Sequence, residues 1–365
     1  MRDRNLKNIF NYSISRGDTQ KDCERRYFYQ YYFHWNGWLV RKDLNNELDN
    51  SFNPRELGTD VRKQLAYTFK KSTGFYLYVG NKIHSQLEKF LKLLDSNQYL
   101  KPNSSAAFVA AAVKKFEREL TEIVKNQKEE SFLAKPKDHV FFVEYLNSAQ
   151  FSHGYPGILP PNWTRFVKDA TELYEINLKA FFSQKLYSGL NELHKRAEVF
   201  DVEPSYRYVY EFKRGDQKYE IPVLIRPDLL TISDGVMSIF DWKTGSSRNI
   251  KFFQLRFYAY MLKKMYEEGK IFKGETIDTT KLKIYCLKES KPLFETYEEE
   301  SLDLDTLHDD FVNMISVTDD GLDMNTIDDG REEEFSIKTN SGKFGCRACP
   351  FLKICPGTAE KLKFV

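Results

Sequence analysis

The sequence predicts an α/β fold, because helical and strand-like patterns occupy different parts of the chain. Before residue 197 apolar residues recur at helical spacing, and the clearest stripe comprises Val79, Ile83, Leu87, Phe90, Leu91 and Leu94. From Ala197 the apolar residues alternate with a period of two, which is typical of strands. Asp234-Gly235 then separates two alternating apolar runs, a strong local signal for a β-hairpin.

We expect one domain spanning residues 1–365, with an all-helical insertion at residues 95–195 and a C-terminal cysteine segment at residues 335–356. Polar residues 41–75 predict a loop. Helices are predicted at residues 78–94, 104–128, 162–193, 250–267 and 302–317, and strands at 198–203, 206–212, 219–225 and 282–287, with the hairpin at 225–245.

Composition indicates a folded protein outside the membrane. Hydrophobic residues make up 41% of the 365 positions, enough for a sizeable core. There is no apolar run of membrane-spanning length and no apolar signal-peptide region after Met1, so we expect a cytoplasmic location. The net charge of +2 does not suggest a general nucleic-acid coat, and any such binding must come from local patches.

The hairpin carries the main chemical signal. Asp228 lies at the start of its first strand, and Asp241 and Lys243 lie two residues apart on the second, so these two project from one face. The second strand is otherwise apolar and should be buried. Charged side chains in a buried strand must be paired with each other or bind a ligand. Acids beside a lysine suggest a divalent metal, a phosphate, or both. The lysine could orient or deprotonate a water molecule, or stabilise developing negative charge.

Four motifs in order carry a resemblance to a known family: Gly80-Asn-Lys-Ile-His84, Pro227-Asp228, Asp241-Trp-Lys-Thr-Gly245 and Gln254-Leu-Arg-Phe-Tyr258. In this respect the chain resembles the RecB-like branch of the PD-(D/E)xK nucleases. The resemblance implies a restriction-endonuclease-like core, in which helices flank a mixed central sheet. It does not cover the helical middle of the chain.

The resemblance also implies roles for individual residues. His84, Asp228, Asp241 and the Trp242 carbonyl would hold Mg²⁺ or Mn²⁺, and Lys243 would position the attacking water. Gln254 and Tyr258, four residues apart on one helical face, would contact DNA. Without the resemblance, His84 would be read as a core histidine, and Gln254 and Tyr258 as ordinary residues of an amphipathic helix. A further acid is either Glu203 or Glu198.

The cysteines form a second constellation. Cys346, Cys349 and Cys355 follow a C-x2-C-x5-C spacing, and Cys23 stands alone near the other end. Structural zinc sites usually take two short cysteine pairs, whereas this is a three-plus-one arrangement. The spacing resembles that of the iron–sulfur nucleases, namely AddB-type helicase–nuclease subunits and CRISPR-associated RecB-like exonucleases. It implies a 4Fe-4S cluster, with zinc as the alternative. Cys286, within a predicted strand, is interpreted as a core residue.

Taken together, the resemblance implies metal-dependent hydrolysis of DNA. An exonuclease acting on single strands or DNA ends is the expected mode, in repair, recombination or antiviral defence, with protein partners in a repair or defence complex. The alternative is a non-cleaving subunit that keeps the fold and binds DNA ends or a partner. The chain has no helicase P-loop, so it is not a complete helicase–nuclease subunit.

Overall fold

The computed structural model describes residues 10–40, 42–44, 57–96, 102–147, 162–250, 252–316, 335–336 and 345–355. Some sequence predictions therefore fall partly outside the described residues. They concern the absence of a signal peptide at residues 1–9, parts of the loop at 41–75 and of the insertion at 95–195, residue 251 of the helix at 250–267, residue 317 of the helix at 302–317, and residues 337–344 and 356 of the cysteine segment.

The strands in the described part of the chain are β1 (Val199–Val202), β2 (Tyr206–Arg214), β3 (Gln217–Ile225), β4 (Leu229–Ser233), β5 (Val236–Lys243), β6 (Thr279–Cys286) and β7 (Lys291–Thr296). Five of them form a sheet in the order β1-β4-β5-β6-β7, and β2 and β3 form a separate hairpin. The sheet is mixed, because β5 and β6 are parallel whereas the other neighbours are antiparallel.

The helices of the described residues are α1 (Ile14–Asp22), α2 (Glu24–Phe28), α3 (Thr59–Phe69), α4 (Phe75–Asp95), α5 (Pro102–Lys125), α6 (Glu129–Ala134), α7 (Val143–Leu146), α8 (Trp163–Phe181), α9 (Gln184–Arg196), α10 (Phe253–Glu267) and α11 (Leu304–Ser316). α2 continues as a π-helical segment at Tyr29–Phe33. No helix among the described residues is long and apolar enough to cross a membrane.

The sheet separates two apolar cores, because successive side chains of β5 point to opposite faces. Ile239 belongs to the core shared with α1 to α3, α10, α11 and the β2–β3 hairpin. Phe240 and Trp242 belong to the core shared with α4, α5, α8 and α9. Helices therefore flank the mixed sheet on both faces, which fits the predicted restriction-endonuclease-like α/β architecture.

The predicted helical insertion supplies most of the second layer. The ring of Phe181 from α8 meets Trp242 of β5 edge-on, with centroids 5.7 Å apart. Phe116 of α5 stacks on Tyr174 of α8 at 4.2 Å between centroids. The helices at residues 95–195 thus cover one face of the sheet and bury its aromatic residues.

Two element predictions are wrong, and one strand is not predicted at all. The long helix at residues 162–193 is two helices, since the chain turns at Phe182–Ser183 before α9 begins. The loop prediction at residues 41–75 misses α3 and the first residue of α4. α3 looks polar in sequence, yet Leu65 and Phe69 are buried and the guanidinium of Arg62 lies 5.3 Å from the Phe33 ring centroid. β7 was not anticipated, because its apolar residues are interrupted by charges and Pro292.

The predicted hairpin turn is confirmed, with Ser233 opposite Val236 and both turn residues at positive φ. Gly235 has φ +74°, and a Cβ there would collide with Asp278 Oδ2.

We expect Gly235→Ala to lower the free energy of unfolding by about 1–2 kcal/mol. Gly189 is the matched control, because it lies inside α9 with nothing within 4 Å of an added Cβ. Gly189→Ala should raise stability by about 0.5–1 kcal/mol. Urea unfolding of both variants tests this, and equal effects would contradict it.

Candidate active site

Asp228 lies where three strands converge, just before β4. Its main-chain N–H donates to Phe240 O of β5 (3.2 Å), and its carbonyl accepts from Glu203 N after β1 (3.0 Å). Its side-chain Oδ2 accepts a 2.6 Å hydrogen bond from Trp242 N. The main chain of β5 therefore fixes the orientation of this carboxylate and leaves Oδ1 directed elsewhere.

His84 occupies that remaining direction. It comes from α4, and its Nδ1 lies 3.3 Å from Asp228 Oδ1. Burial lowers the pKa of His84, but the hydrogen bond and the charge of Asp228 outweigh it, so the net shift is upward. Gly80, one helical turn earlier, lies next to the end of the hairpin, since a Cβ there would be in ordinary van der Waals contact with Thr244 Oγ1 at 3.5 Å. The Gly80-to-His84 motif and the Asp241-to-Gly245 motif thus meet in space.

Asp241 and Lys243 project from the same face of β5, as the sequence predicts. Asp241 is 7% exposed, and burial raises the pKa of its carboxyl to about 6. Lys243 Nζ lies 2.7 Å from Asp241 Oδ2, although that oxygen accepts no hydrogen bond of standard geometry. Burial lowers the pKa of the Lys243 ammonium, but the adjacent Asp241 outweighs it and raises that pKa. The two groups form a half-buried ion pair.

Gln254 and Tyr258 extend this ion pair onto α10. Lys243 Nζ donates to Gln254 Oε1 at 3.4 Å, and Gln254 Nε2 donates to the Tyr258 hydroxyl at 3.0 Å. Burial raises the pKa of Tyr258. The contacts run without a break from Asp241 through Lys243 and Gln254 to Tyr258.

The geometry distinguishes the two rival glutamates. Glu198 Oε1 accepts from Asp234 N (3.4 Å) at the hairpin turn, at the opposite end of β4 from Asp228. Glu203 follows β1, and its pKa is raised by burial and by the charges of Glu88 and Asp228. Its φ of 48° is left-handed, an uncommon conformation for a residue with a side chain. Glu203 is therefore the acid that lies beside Asp228.

A pocket of about 310 Å³ opens next to these residues and is lined by Glu203, Asp228, Gln254 and Tyr258. The sequence reasoning missed other lining residues, namely Ser13 and Ser15 at the start of α1, and Arg226. The signal for the serines is local, since Ser13 Oγ caps α1 by accepting from Arg16 N. Nothing in the pattern assigned α1 to this site, because its contact with β3 spans about half of the chain.

The donor set fits a divalent cation. Two carboxylates and an imidazole provide the oxygen and nitrogen ligands that Mg²⁺ and Mn²⁺ accept. The buried Asp241 Oδ2 without a standard hydrogen bond is the kind of atom that a cation would satisfy. Among the described residues, no group of three or more His, Cys, Asp or Glu side chains is arranged so that it could hold a metal ion. His84 and Lys243 instead pair with the two carboxylates.

The late cysteines pack against the segment that follows Cys23. The Tyr29 hydroxyl donates to Ile354 O (3.1 Å), and Arg25 Nε donates to Phe335 O (2.9 Å). Burial raises the pKa of Cys349 to about 12, and Cys355 and Cys23 are close enough to add to that increase. None of the cysteines, all of which lie in described ranges, forms a disulfide. Cys286 is buried in β6, in accordance with its interpretation as a core residue.

The family model described as "PD-(D/E)XK nuclease superfamily" matches residues 163–356, more than half of the chain. The chain therefore belongs to the PD-(D/E)XK nuclease superfamily. Nucleases of this superfamily usually use divalent metals such as Mg²⁺ or Mn²⁺, and the family implies DNA as substrate. The match includes α8, α9 and the β5 motif, whereas His84 and Cys23 precede it.

Similarity beyond the family is low. No curated protein matches the chain closely enough to count as a relative. A solved structure titled "Crystal structure of SSO0001" is 16% identical, with a TM-score of 0.27 over 53% of this chain and 80% of its own. At that level it supports no conclusion about this protein.

Proposed function

We propose that this protein is a metal-dependent DNA nuclease of the RecB-like branch and that its active site consists of His84, Asp228, Asp241, Lys243 and Glu203. One observation carries the proposal. His84 contacts Asp228, Asp241 contacts Lys243, and Lys243 is joined through Gln254 to Tyr258. The main-chain N–H of Trp242, which lies between Asp241 and Lys243, donates to Asp228 and so connects the two carboxylates. An ordinary hydrophobic core would not place two acids, a lysine and a histidine together at the end of a buried strand.

The metal ligands we propose are His84, Asp228, Asp241 and the Trp242 carbonyl. The chemistry that the cation supplies is polarisation of the scissile phosphate and charge stabilisation in the transition state. The hydrogen bond from Trp242 N fixes one oxygen of Asp228, so that carboxylate is oriented before any ligand arrives.

Lys243 is proposed to position the attacking water and to stabilise negative charge on the phosphate. Its ammonium lies between Asp241 Oδ2 (2.7 Å) and Gln254 Oε1 (3.4 Å), and the ion pair with the first and the hydrogen bond to the second restrict its position. A fixed donor in a half-buried site stabilises developing charge more than a solvated one does. Gln254 and Tyr258 would hold the DNA strand against this group.

An exonuclease acting on single strands or DNA ends is the mode we propose. The pocket beside Glu203 and Asp228 measures about 310 Å³, at the lower limit for small-molecule pockets. A space of that size suits one unstacked nucleotide, which a single strand or an end presents at less cost than an intact duplex does.

A 4Fe-4S cluster held by Cys23, Cys346, Cys349 and Cys355 is proposed as a second, structural centre. Support comes from the packing of the N-terminal aromatic helix on the late cysteine segment, where the rings of Tyr29 and Phe351 lie 5.5 Å apart. Four thiolate ligands would cross-link segments that are more than 300 residues apart in sequence.

A cleavage assay with Lys243→Ala tests the proposed activity. Purified protein is incubated with end-labelled single-stranded or duplex DNA and Mg²⁺, Mn²⁺ or EDTA. We expect shortening of the DNA by the wild type with either metal, and none with EDTA or with Lys243→Ala. Lys168→Ala, on the exposed face of α8, is the control that should cleave normally. If wild type and Lys243→Ala leave the DNA equally intact, the protein is a non-cleaving DNA-binding subunit instead.

The two glutamates give a second prediction. Glu203→Gln should reduce the rate of cleavage by about 10- to 100-fold, because it removes a charge beside Asp228 without changing side-chain shape. Glu198→Gln should leave the rate unchanged, since that side chain caps the far turn of the hairpin. Initial rates at saturating Mg²⁺ measure both effects. The reverse order of effects would contradict the assignment.

A further inference from the structure

A second groove, of about 330 Å³, lies on the opposite face of the sheet from Asp241 and Lys243. Its walls are α9 on one side and strands β6 and β7 on the other, with the turn after β6 closing one end. Tyr285, one of its lining residues, pairs with Trp242 in the β5–β6 register and packs on it at 5.3 Å between ring centroids. The groove therefore belongs to the face that points away from the active site.

The groove carries unbalanced positive charge. Its lining includes four cations and no carboxylate: Lys185, Arg196, Lys283 and Lys291. None of the four forms a salt bridge with another described residue. Burial lowers the pKa of Lys283, and the nearby charges of Arg196 and Lys281 lower it further. Glu289, the neighbouring acid, does not line the groove and accepts from Ser247 N (3.1 Å). Its hydrogen bonds from Ser247 lower the pKa of Glu289, and the charge of Lys291 contributes to that lowering. Such a set of cations is poised for an anionic ligand.

Aromatic rings lie between these cations. Phe294 of the edge strand β7 is 61% exposed, and its ring meets Tyr285 edge-on at 5.9 Å between centroids. Lys283 Nζ lies 4.7 Å from the centroid of the Phe240 ring, which forms the floor of the groove. An exposed ring beside cations is the combination that holds a single-stranded nucleic acid, with the base stacked and the phosphates neutralised.

One end of the groove, formed by Cys286 and Leu287, lies at the same end of the sheet as the active site. Lys243 and Cys286 are paired at the carboxyl ends of the parallel strands β5 and β6. The loops that follow these strands touch, because the hydroxyl of Ser247 donates to Glu289 Oε2 at 2.5 Å. A strand leaving the groove would pass over this loop contact to reach Lys243.

We propose that this groove binds a single-stranded segment of nucleic acid, with phosphates at Arg196 and Lys283 and a base against Phe294. The proposal extends the proposed nuclease function, because it would give the substrate strand a second anchor behind the sheet. Binding at the groove can nevertheless be measured without cleavage.

The test uses Lys243→Ala protein in EDTA and a fluorescent oligothymidine of about 20 nucleotides, long enough to span a binding groove and reach beyond it. Arg196→Glu and Phe294→Ala are added singly and together, and both positions are exposed, so the fold should tolerate them. Fluorescence anisotropy measures Kd over a range of salt concentrations. Lys168→Glu on α8 and Val209→Ala, which is 48% exposed on β2, are the charge and apolar controls.

We expect Phe294→Ala to weaken binding by about 5- to 100-fold, as loss of one stacked base does. Arg196→Glu should weaken binding at least about tenfold and reduce the salt dependence of Kd, since a phosphate contact is lost. The controls should bind as the parent does. Unchanged binding in Phe294→Ala would overturn the proposal, even if Arg196→Glu binds more weakly, because the groove would then be only a general cationic surface.

Cleavage separates this proposal from the proposed function. In a background with Lys243 intact, Arg196→Glu and Phe294→Ala should raise KM for the long oligonucleotide and leave cleavage of a short one of about four nucleotides unchanged, since a short strand fills fewer binding positions. If the wild-type protein binds through the groove but does not cleave, only the proposed nuclease function is contradicted. If all variants have equal KM values, only the proposed binding of a strand in the groove is contradicted.

Discussion

Replacing Asp228 by asparagine is expected to lower the rate of DNA cleavage by about a thousandfold or more, with the fold intact. Asparagine has the same shape, and its Oδ1 can still accept the hydrogen bond that Trp242 N gives to Asp228 Oδ2 (2.6 Å). It lacks the negative charge that pairs with His84 (3.3 Å) and would hold the cation. The variant therefore separates the chemistry of the site from the folding of the hairpin.

Asp234→Asn is the matched control for this prediction. It makes the same chemical change on the same hairpin, at the turn, where asparagine before glycine suits two positive φ values. We expect it to cleave at the wild-type rate, and both variants to show unchanged thermal unfolding within about 0.5 kcal/mol. Cleavage rates at saturating Mg²⁺ and circular dichroism melts measure the two effects. An Asp228→Asn protein that cleaves normally would exclude this carboxylate from the site.

Replacing Cys349 by alanine is the second change with a large expected effect. The proposed cluster ties the N-terminal helix to the late cysteine segment, so its loss should destabilise the metal-loaded protein by several kcal/mol, about the range in which a structural metal contributes folding energy. The broad visible absorbance of an iron–sulfur cluster should disappear in the same variant. Iron and zinc analysis, absorbance and thermal melts of anaerobically purified protein provide the measurements.

Cys286→Ala is the control, because this thiol is buried within β6 as part of the core. It should keep the colour and the iron, and lose only about 1 kcal/mol from the missing side chain. A colourless wild type that contains stoichiometric zinc would replace the iron–sulfur cluster by a zinc site. If the wild-type protein contains no bound metal and is no more stable than Cys349→Ala, the proposed metal centre is contradicted.

The β-hairpin and its chemistry could be predicted from the sequence, because the relevant distances are short along the chain. A period of two places Asp241 and Lys243 on one face whatever surrounds the strand. The Asp234-Gly235 turn then fixes the pairing that puts Asp228 beside the end of β5. Gln254 and Tyr258 share a helical face for the same local reason, and their hydrogen bond spans one turn.

Other parts of the site depend on contacts that no local pattern specifies. The choice between Glu203 and Glu198 depends on the left-handed backbone at Glu203, which alternation along β1 does not predict. The position of Ser13 in the pocket with Asp228 depends on the segment that precedes α1, which joins β3 where Tyr12 N donates to Pro222 O (2.7 Å). His84 could be assigned only through the motif, because its helical stripe indicates a buried face without naming its partner.

In the helical middle of the chain, the sequence likewise predicts the helices but not how they pack on the sheet. Its amphipathic stripes predict helices, and the helices are present. They do not say which surface is covered: within α8, Ile176 is 45% exposed whereas Ala170 is fully buried. The true contact face is the one that meets the aromatic residues of β5, and only the sheet register determines it.

The alternation of side chains along Asp241, Trp242 and Lys243 couples the charged groups of the site to a buried aromatic ring on the other face of the sheet. The central residue is 2% exposed and wedged between Phe181 and Tyr285, while its two neighbours face the opposite side. A rotation of the strand that moves one charged group must also move this ring within its close-packed surroundings. Substitution of Phe181, which packs on the Trp242 ring from the face opposite the charged groups, would consequently lower turnover more than ligand affinity, because the aromatic layer holds the charged groups in register.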